Sequence, residues 1–307
     1  MIGRILAAAA VGLTFAASSV GAFEYKGLCE ASAGAFLDDK HFVVASDETN
    51  VLQLYQRGKP DPIGDGIDMV SFTSFEKSDL EAAAVIGDRV YWMSSHSFNS
   101  DGEDKKKRKV FFATRIVSEG GTPSLKPVGK PAKKLRDALA AAADVAPEDL
   151  NVEAMAATPN DELLIGLRGP LRGKKALVVP FKNPAAVVEQ GAEPKFKKAI
   201  PIFLNGLGLR SMDLLPGDSE RYIIIAGQVS DGPRFAAFLW NGPGSDPQEI
   251  EGVDLKGLTP EGAMAVPGEK NLVQILSDDG KVNGKKCSDE TDPPEKRRFR
   301  SIDIELE

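Results

Sequence analysis

Four charged residues, Glu81, Glu153, Arg210 and Glu261, each open an apolar stretch of the same design, and a fifth such stretch opens on Ser32. Further along each stretch, where a second apolar segment ends, stand Asp47, His96, Arg168, Gln228 and Asp278. A charge at one fixed position of an otherwise apolar repeat is hard to explain by core packing alone. If the copies are related by rotation, both sets converge on one mouth.

Three chemistries suit such a convergence. The first is structural: carboxylates accept backbone N–H groups of a neighbouring unit, or pair with Arg210 and Arg168. The second is a cation site. Glu81, Glu153 and Glu261, with Asp47 and Asp278 beside them, offer oxygen ligands only, which suits calcium rather than zinc. The sequence has two histidines, His41 and His96, and two cysteines, too few for a zinc centre. The third is hydrolysis, with a carboxylate or His96 as general base and Arg168 and Arg210 holding an anionic group. No nucleophile–base constellation accompanies these residues. Ser94-Ser-His-Ser97 places serines beside a histidine, but neighbours on a strand face opposite ways, and there is no G-x-S-x-G elbow. The residues therefore favour binding of a small ligand, a glycan or an envelope protein, with a calcium-dependent hydrolase of phosphoesters or other esters as the alternative.

Other charged segments read more plainly. Lys105-Lys-Lys-Arg-Lys109 is a solvated hairpin tip, or else an anion-collecting arm partly cancelled by Asp101-Gly-Glu-Asp104. Asp278-Asp-Gly280 lacks full calcium-loop spacing and reads as a polar turn. His41 reads as structural.

The elements that must position the charges follow from the repeat. Each copy runs through small residues, an apolar strand, a tight turn and a second apolar strand, as in Glu81-Ala-Ala-Ala-Val-Ile-Gly-Asp-Arg-Val-Tyr-Trp-Met. A third strand follows (Val51–Tyr55, Val110–Arg115, Ala176–Phe181, Phe235–Trp240, Phe299–Leu306), then a more polar fourth. Four strands per repeat of roughly 50 residues is the blade of a β-propeller. The expectation is an all-β chain with a single propeller over 23–307, of five four-stranded blades. A sixth blade in the gap between Glu81 and Glu153 is the alternative. That gap contains Pro131-Ala-Lys-Lys-Leu-Arg-Asp-Ala-Leu-Ala-Ala-Ala-Ala143, which reads as a short helical insertion starting at its proline. The fifth copy lacks a fourth strand, and Phe23–Lys26 can supply it beside Phe299–Leu306, closing the ring with both chain ends.

Met1-Ile-Gly-Arg4, an apolar run to Val20 and the small residues Gly21-Ala22 form a secretory signal over 1–22. No second run is long enough to span a bilayer, so stable membrane insertion is not expected. The full chain carries a net charge of −7, and losing the signal removes Arg4 and no acid. An acidic mature protein argues against nucleic acid as a partner. An exported monomer, periplasmic or extracellular, is the expectation. Cys29 precedes the first copy and Cys287 follows the second strand of the last. In an oxidising compartment they suit a disulfide across the closure, with two free thiols as the alternative.

The stretches Cys29-Glu-Ala-Ser-Ala, Phe42-Val-Val-Ala-Ser-Asp-Glu-Thr-Asn-Val-Leu, Asp79-Leu-Glu-Ala-Ala, Tyr91-Trp-Met-Ser-Ser-His, Asn151-Val-Glu-Ala-Met-Ala, Leu164-Ile-Gly-Leu-Arg, Pro260-Glu-Gly and Leu276-Ser-Asp-Asp-Gly span nearly the whole mature chain. In these the chain resembles the secreted bacterial family called domain of unknown function 3616, itself similar to phytase-like propellers. The resemblance implies a propeller and export. It implies no activity, and the calcium sites of phytase-like enzymes have no residue-by-residue match here.

Overall fold

Each copy of the repeat folds as an antiparallel four-stranded sheet in this computed structural model, which describes residues 15–19, 21–217 and 220–307. The first blade comprises Ala33–Phe36, His41–Ala45, Val51–Gln56 and Ile63–Asp68. The second comprises Leu80–Ile86, Arg89–Ser94, Phe111–Glu119 and Thr122–Ala132. Asn151–Ala157, Leu163–Gly169, Lys175–Phe181 and Ile200–Phe203 make the third. Gly208–Leu214, Tyr222–Gly227, Phe235–Trp240 and Gln248–Glu251 make the fourth. The fifth takes Pro260–Ala265, Leu272–Ser277 and Arg298–Leu306 from the C-terminal end and Phe23–Lys26 from the N-terminal end. The fold is a five-bladed β-propeller, and the sixth blade is not formed.

The five innermost strands neighbour one another in sequence order, and the last neighbours the first. Their side chains are small where they crowd the axis: Gly34, Ala82, Ala84, Ala154, Ala156 and Ala263. The larger apolar residues of the second and third strands are buried on both faces of each blade, and they collect into five clusters, one between each pair of adjacent blades. That is the packing expected when twisted sheets stack face to face around a ring.

The ring closes as the chain ends allow. Phe23–Lys26 pairs antiparallel with Arg298–Leu306 in the register Phe23↔Ser301 to Lys26↔Arg298. Tyr25 is buried against Phe42, Tyr55 and Phe299, so the N-terminal strand also fills the interface between the fifth and first blades. The Tyr55 hydroxyl donates to the Lys26 carbonyl at 2.7 Å. Cys29 and Cys287 form a disulfide, with Cα atoms 5.9 Å apart. Of the expected signal, residues 1–14 and 20 lie outside the described residues. Phe15–Ser19 is a strand that runs parallel to Gln248–Glu251 and antiparallel to Arg298–Leu306, spanning the outer edges of blades four and five.

The helical insertion starts later than expected, at Arg136 rather than Pro131, and ends at Ala143. Pro131 instead belongs to the fourth strand of blade two, Thr122–Ala132, whose register shifts between Val128 and Ala132. An outer strand tolerates a proline there because no further strand needs its missing N–H.

Candidate functional site

A β-bulge recurs in the first strand of blades two to five, and it falls on the charged residue each time. Leu80 pairs with Ser94 and Ala82 with Met93, which leaves Glu81 unpaired. Val152 and Ala154 pair with the adjacent Leu167 and Gly166, skipping Glu153. Leu209 and Ser211 pair with Ala226 and Ile225, skipping Arg210. Pro260 and Gly262 pair with Ser277 and Leu276, skipping Glu261. In blade one Ser32 takes the same place, its N–H bonding to the Ala45 carbonyl at 3.1 Å while Ala33 pairs with Ala45. A bulge leaves one residue out of the ladder and re-aims its side chain. Four equivalent bulges, and the matching place in blade one, therefore aim Ser32, Glu81, Glu153, Arg210 and Glu261 into one end of the ring.

The register also decides which second-strand residues join them. Counting from the bulge pairs, the residues equivalent to Asp47, Arg168 and Asp278 are Ser95 and Gly227, not His96 and Gln228. His96 is one residue further on, past the strand end at Ser94 and at a φ of 54°, where the chain turns out of the extended conformation. Ser95 faces the cluster and its hydroxyl donates to the Asp79 carboxylate. The His96 ring is fully buried away from that cluster, with no hydrogen bond from either nitrogen to a described residue. Burial first, then Arg136 and Lys109, lower its pKa to about 3, so it stays neutral.

The converged charges divide the mouth in two. On the side of blades three to five, Arg210 Nη1 lies 2.7 Å from Glu153 Oε2 and 3.0 Å from Glu261 Oε1. Arg168 Nη1 takes Glu153 Oε1 at 3.0 Å, and its Nη2 reaches Asp231 at 2.8 Å. Burial works against the Arg210 guanidinium, but Glu153 and Glu261 outweigh it and hold the group protonated. A cavity of about 670 Å³ opens here, lined among others by Arg168, Arg210, Glu261, Asp278, Lys281 and Arg300.

On the side of blades one and two, Glu81 and Asp47 lack that compensation. Glu81 is partly buried, and no hydrogen bond or ion pair joins it to a described residue. Desolvation, then Asp79, Asp47, Glu153 and Glu261, push its pKa well above the usual carboxylate range. Asp47 is raised likewise by burial and by Asp278, Glu30, Asp79 and Glu48, and its Oδ1 is buried with no hydrogen-bond partner. Asp79 is pinned by Arg108 at 2.9 Å and by Ser95. Carboxylate oxygens of Asp47, Asp79 and Glu81 lie within 4.8 Å of one another, and so do those of Glu30, Asp47 and Glu48. Asp278, whose Oδ1 accepts the Gly280 N–H at 2.8 Å, is raised to about 6 by burial.

The expected metal triad is thus regrouped. Glu81 keeps Asp47 beside it and gains Asp79, while Glu153 and Glu261 are joined by Arg210. Residues two places before the bulges, Glu30, Asp79 and Asn151, belong to the mouth and were not singled out from the sequence. The signal was present in Asp79-Leu-Glu81 and Asn151-Val-Glu153, where polar residues alternate across one apolar position. Asn151 donates to Glu153 at 3.1 Å. The basic run Lys105–Lys109 is neither a free tip nor a free arm. Its residues Lys106–Arg108 form a 3₁₀ turn, Lys105 and Lys109 pair with Glu103 and Asp104, and Arg108 reaches Asp79. Asp279 is buried, paired with Arg300 at 2.7 Å. His41 bonds Asp38 at 2.9 Å, a local turn contact.

The opposite mouth is apolar. A cavity of about 360 Å³ there is lined by the far ends of all five inner strands, Ala35, Ala84, Ala157, Leu214 and Ala265 among them. Asp213 is its one carboxylate among the described residues, and burial raises it to about 7 although it accepts N–H groups from Ala265 and Leu214.

Fold and mouth together define a five-bladed propeller with a charged axial site. The major allergen Mala s 1 of Malassezia sympodialis has a similar fold, at 9% identity and TM-score 0.53 over 95% of this chain and 96% of that one. So does the PQQ-bound aldose sugar dehydrogenase of Streptomyces coelicolor, at 11% identity and TM-score 0.51 over 97% of this chain and all of the other. At such identity the likeness extends to the fold alone. No protein-family model matches the chain, and no curated protein matches it.

Proposed function

We propose that this is an exported binding protein whose axial mouth holds a divalent, oxygen-preferring cation, with calcium the best fit, and through it an anionic small ligand. The observation that carries the reading is the grouping of Asp47, Asp79 and Glu81. Oxygens on opposite sides of a calcium ion, each about 2.4 Å from it, are about 4.8 Å apart. An ion there would supply the partner that Glu81 and Asp47 Oδ1 lack. Arg168 and Arg210, on the facing side, suit the anionic group of the ligand. Export is supported by the disulfide, by the N-terminal signal pattern, and by the resemblance to the secreted family. Among the described residues no helix is long and apolar enough to cross a membrane.

Calorimetric titration with calcium tests this reading, alongside thermal melting. Saturable binding and a raised Tm are expected, both lost in Glu81→Gln and in Asp47→Asn. A Tm indifferent to calcium in the unaltered protein would end the proposal. Affinity should rise from pH 5 to pH 8, because the carboxyls must lose their protons to ligate.

Phosphoester hydrolysis is the second reading, favoured by two guanidinium groups opposite the acidic cluster. His96 is not its base, since the ring faces away from the cluster. A screen with generic phosphoesters, with and without calcium, separates turnover from binding.

A further inference from the structure

A second site lies outside the axial mouth, behind the hairpin that Lys281–Val282 and Lys285–Lys286 form above blade five. A cavity of about 390 Å³ there is walled by Lys285, Lys286, Lys296, Arg298 and Arg300, with Glu24 and Asp279 the two acids in its lining. Both acids are engaged. Asp279 takes Arg300 through two bonds of 2.7 Å, and Glu24 lies 3.4 Å from Arg298. The ammonium groups of Lys285, Lys286 and Lys296 meet no hydrogen bond or ion pair from any described residue. Lys281, on the other flank of the hairpin, is equally free and lines the mouth cavity instead. Convergence distinguishes this groove from scattered surface lysines: three unpaired ammonium groups and two oriented guanidinium groups share one concavity on a chain whose net charge is −7.

The groove is also built rather than draped. Cys287 follows Lys286 directly and lines the cavity, and its disulfide to Cys29 ties the hairpin to the first blade. The Cys287 N–H bonds the Gly280 carbonyl at 2.9 Å, and Asp289 accepts the Cys29 and Glu30 N–H groups at 2.7 and 3.0 Å. The Arg300 Nη2 is fixed further by the Gly257 carbonyl at 2.9 Å. A hairpin clamped at its base holds like charges close together, the two acids of the lining being taken by Arg298 and Arg300, and a bound anion removes that repulsion.

We propose that this groove binds an oligoanionic oxo group of the phosphate class, carrying two or more charges, independently of the cation at the mouth. The lysines supply uncommitted ammonium donors for phosphate oxygens, and the two guanidinium groups, held by Asp279 and Glu24, add positive charge beside them. The same chemistry is presented by a soluble diphosphate and by the phosphates of a lipid surface.

Calorimetric titration with inorganic pyrophosphate in the presence of EDTA tests the first source. Sedimentation with vesicles of phosphatidylglycerol, against neutral phosphatidylcholine vesicles, tests the second. Binding to one or the other that weakens as salt rises is expected, with a loss of tenfold or more in Lys285→Glu/Lys286→Glu. These side chains are exposed, so the variant should fold. The control Lys174→Glu/Lys270→Glu makes the same charge change at exposed positions elsewhere and should retain binding. Replacing both cysteines by serine keeps every charge and should still weaken binding, because the clamp is lost. The proposal fails if neither probe binds, or if the control loses as much as Lys285→Glu/Lys286→Glu. Its failure is separable from that of the mouth reading: Lys285→Glu/Lys286→Glu should keep the calcium response, and Glu81→Gln should keep pyrophosphate binding.

Discussion

Arg210 and Glu153 occupy the same bulged position of neighbouring blades, and their side chains meet at 2.7 Å. One copy of the repeat thus carries the countercharge for two others, since the same Nη1 also reaches Glu261. Arg210→Ala would leave Glu261 without its ion pair and Glu153 with Arg168 alone, in a site that hides Arg210 and Glu153 almost completely. Removing one partner of such a buried pair costs about 3–5 kcal/mol. Chemical denaturation should show a loss of that order, partly recovered by calcium. A variant as stable as the parent would mean that the pairs contribute nothing.

The closure should behave as one cooperative unit. The disulfide joins residues 258 apart, so it constrains nearly the whole chain in the unfolded state. Cys29→Ser with Cys287→Ser should cost about 2–4 kcal/mol. Loss of the Phe23–Lys26 strand should lower the single unfolding transition as a whole, since Tyr25 is part of the apolar cluster between the fifth and first blades. Hydrogen exchange that increases only at the two termini would contradict this.

Asp213 sets a pH dependence that can be isolated from the charged mouth. Its folded pKa of about 7 stands above the ordinary 3.8, so the folded protein holds a proton that the unfolded chain has released. The stabilisation is complete below about pH 3.8 and is lost as pH rises through 7. Asp213→Asn, which keeps a carbonyl oxygen for the Ala265 N–H, removes the charge that must be buried at high pH. The variant should melt like the parent at pH 3.5 and above it at pH 8.5, the gap opening between about pH 3.8 and 7. Parallel melting curves across that range would refute the assignment.

Gly208 marks where blade four approaches the site. A Cβ added there would overlap the Arg168 carbonyl. Gly208→Ala should therefore shift Arg168 away from Glu153 and cost about 1–3 kcal/mol. Ligand binding at the mouth should weaken beyond what the stability change explains, whereas Gly58→Ala, strained by its φ of 73° at an exposed turn, should cost stability and leave binding untouched.

The number of blades, the closure by both chain ends, the disulfide and the inward place of Glu81, Glu153, Arg210 and Glu261 were all legible in the sequence. They follow from local periodicity and from rotation, which sends equivalent positions to one axis whatever their separation along the chain. The tertiary structure alone decided the rest. A bulge adds one residue to a strand without changing its composition, so the alternation of apolar residues does not reveal it. Hairpin length then sets the count: blade two turns through two residues between Ile86 and Arg89, where blade one turns through five between Phe36 and Phe42, so Ser95, not His96, stands level with Asp47. Which carboxylates find an arginine and which find only each other depends on contacts between different blades. No spacing along the chain encodes those contacts, because they form only when five separately folded sheets share one axis.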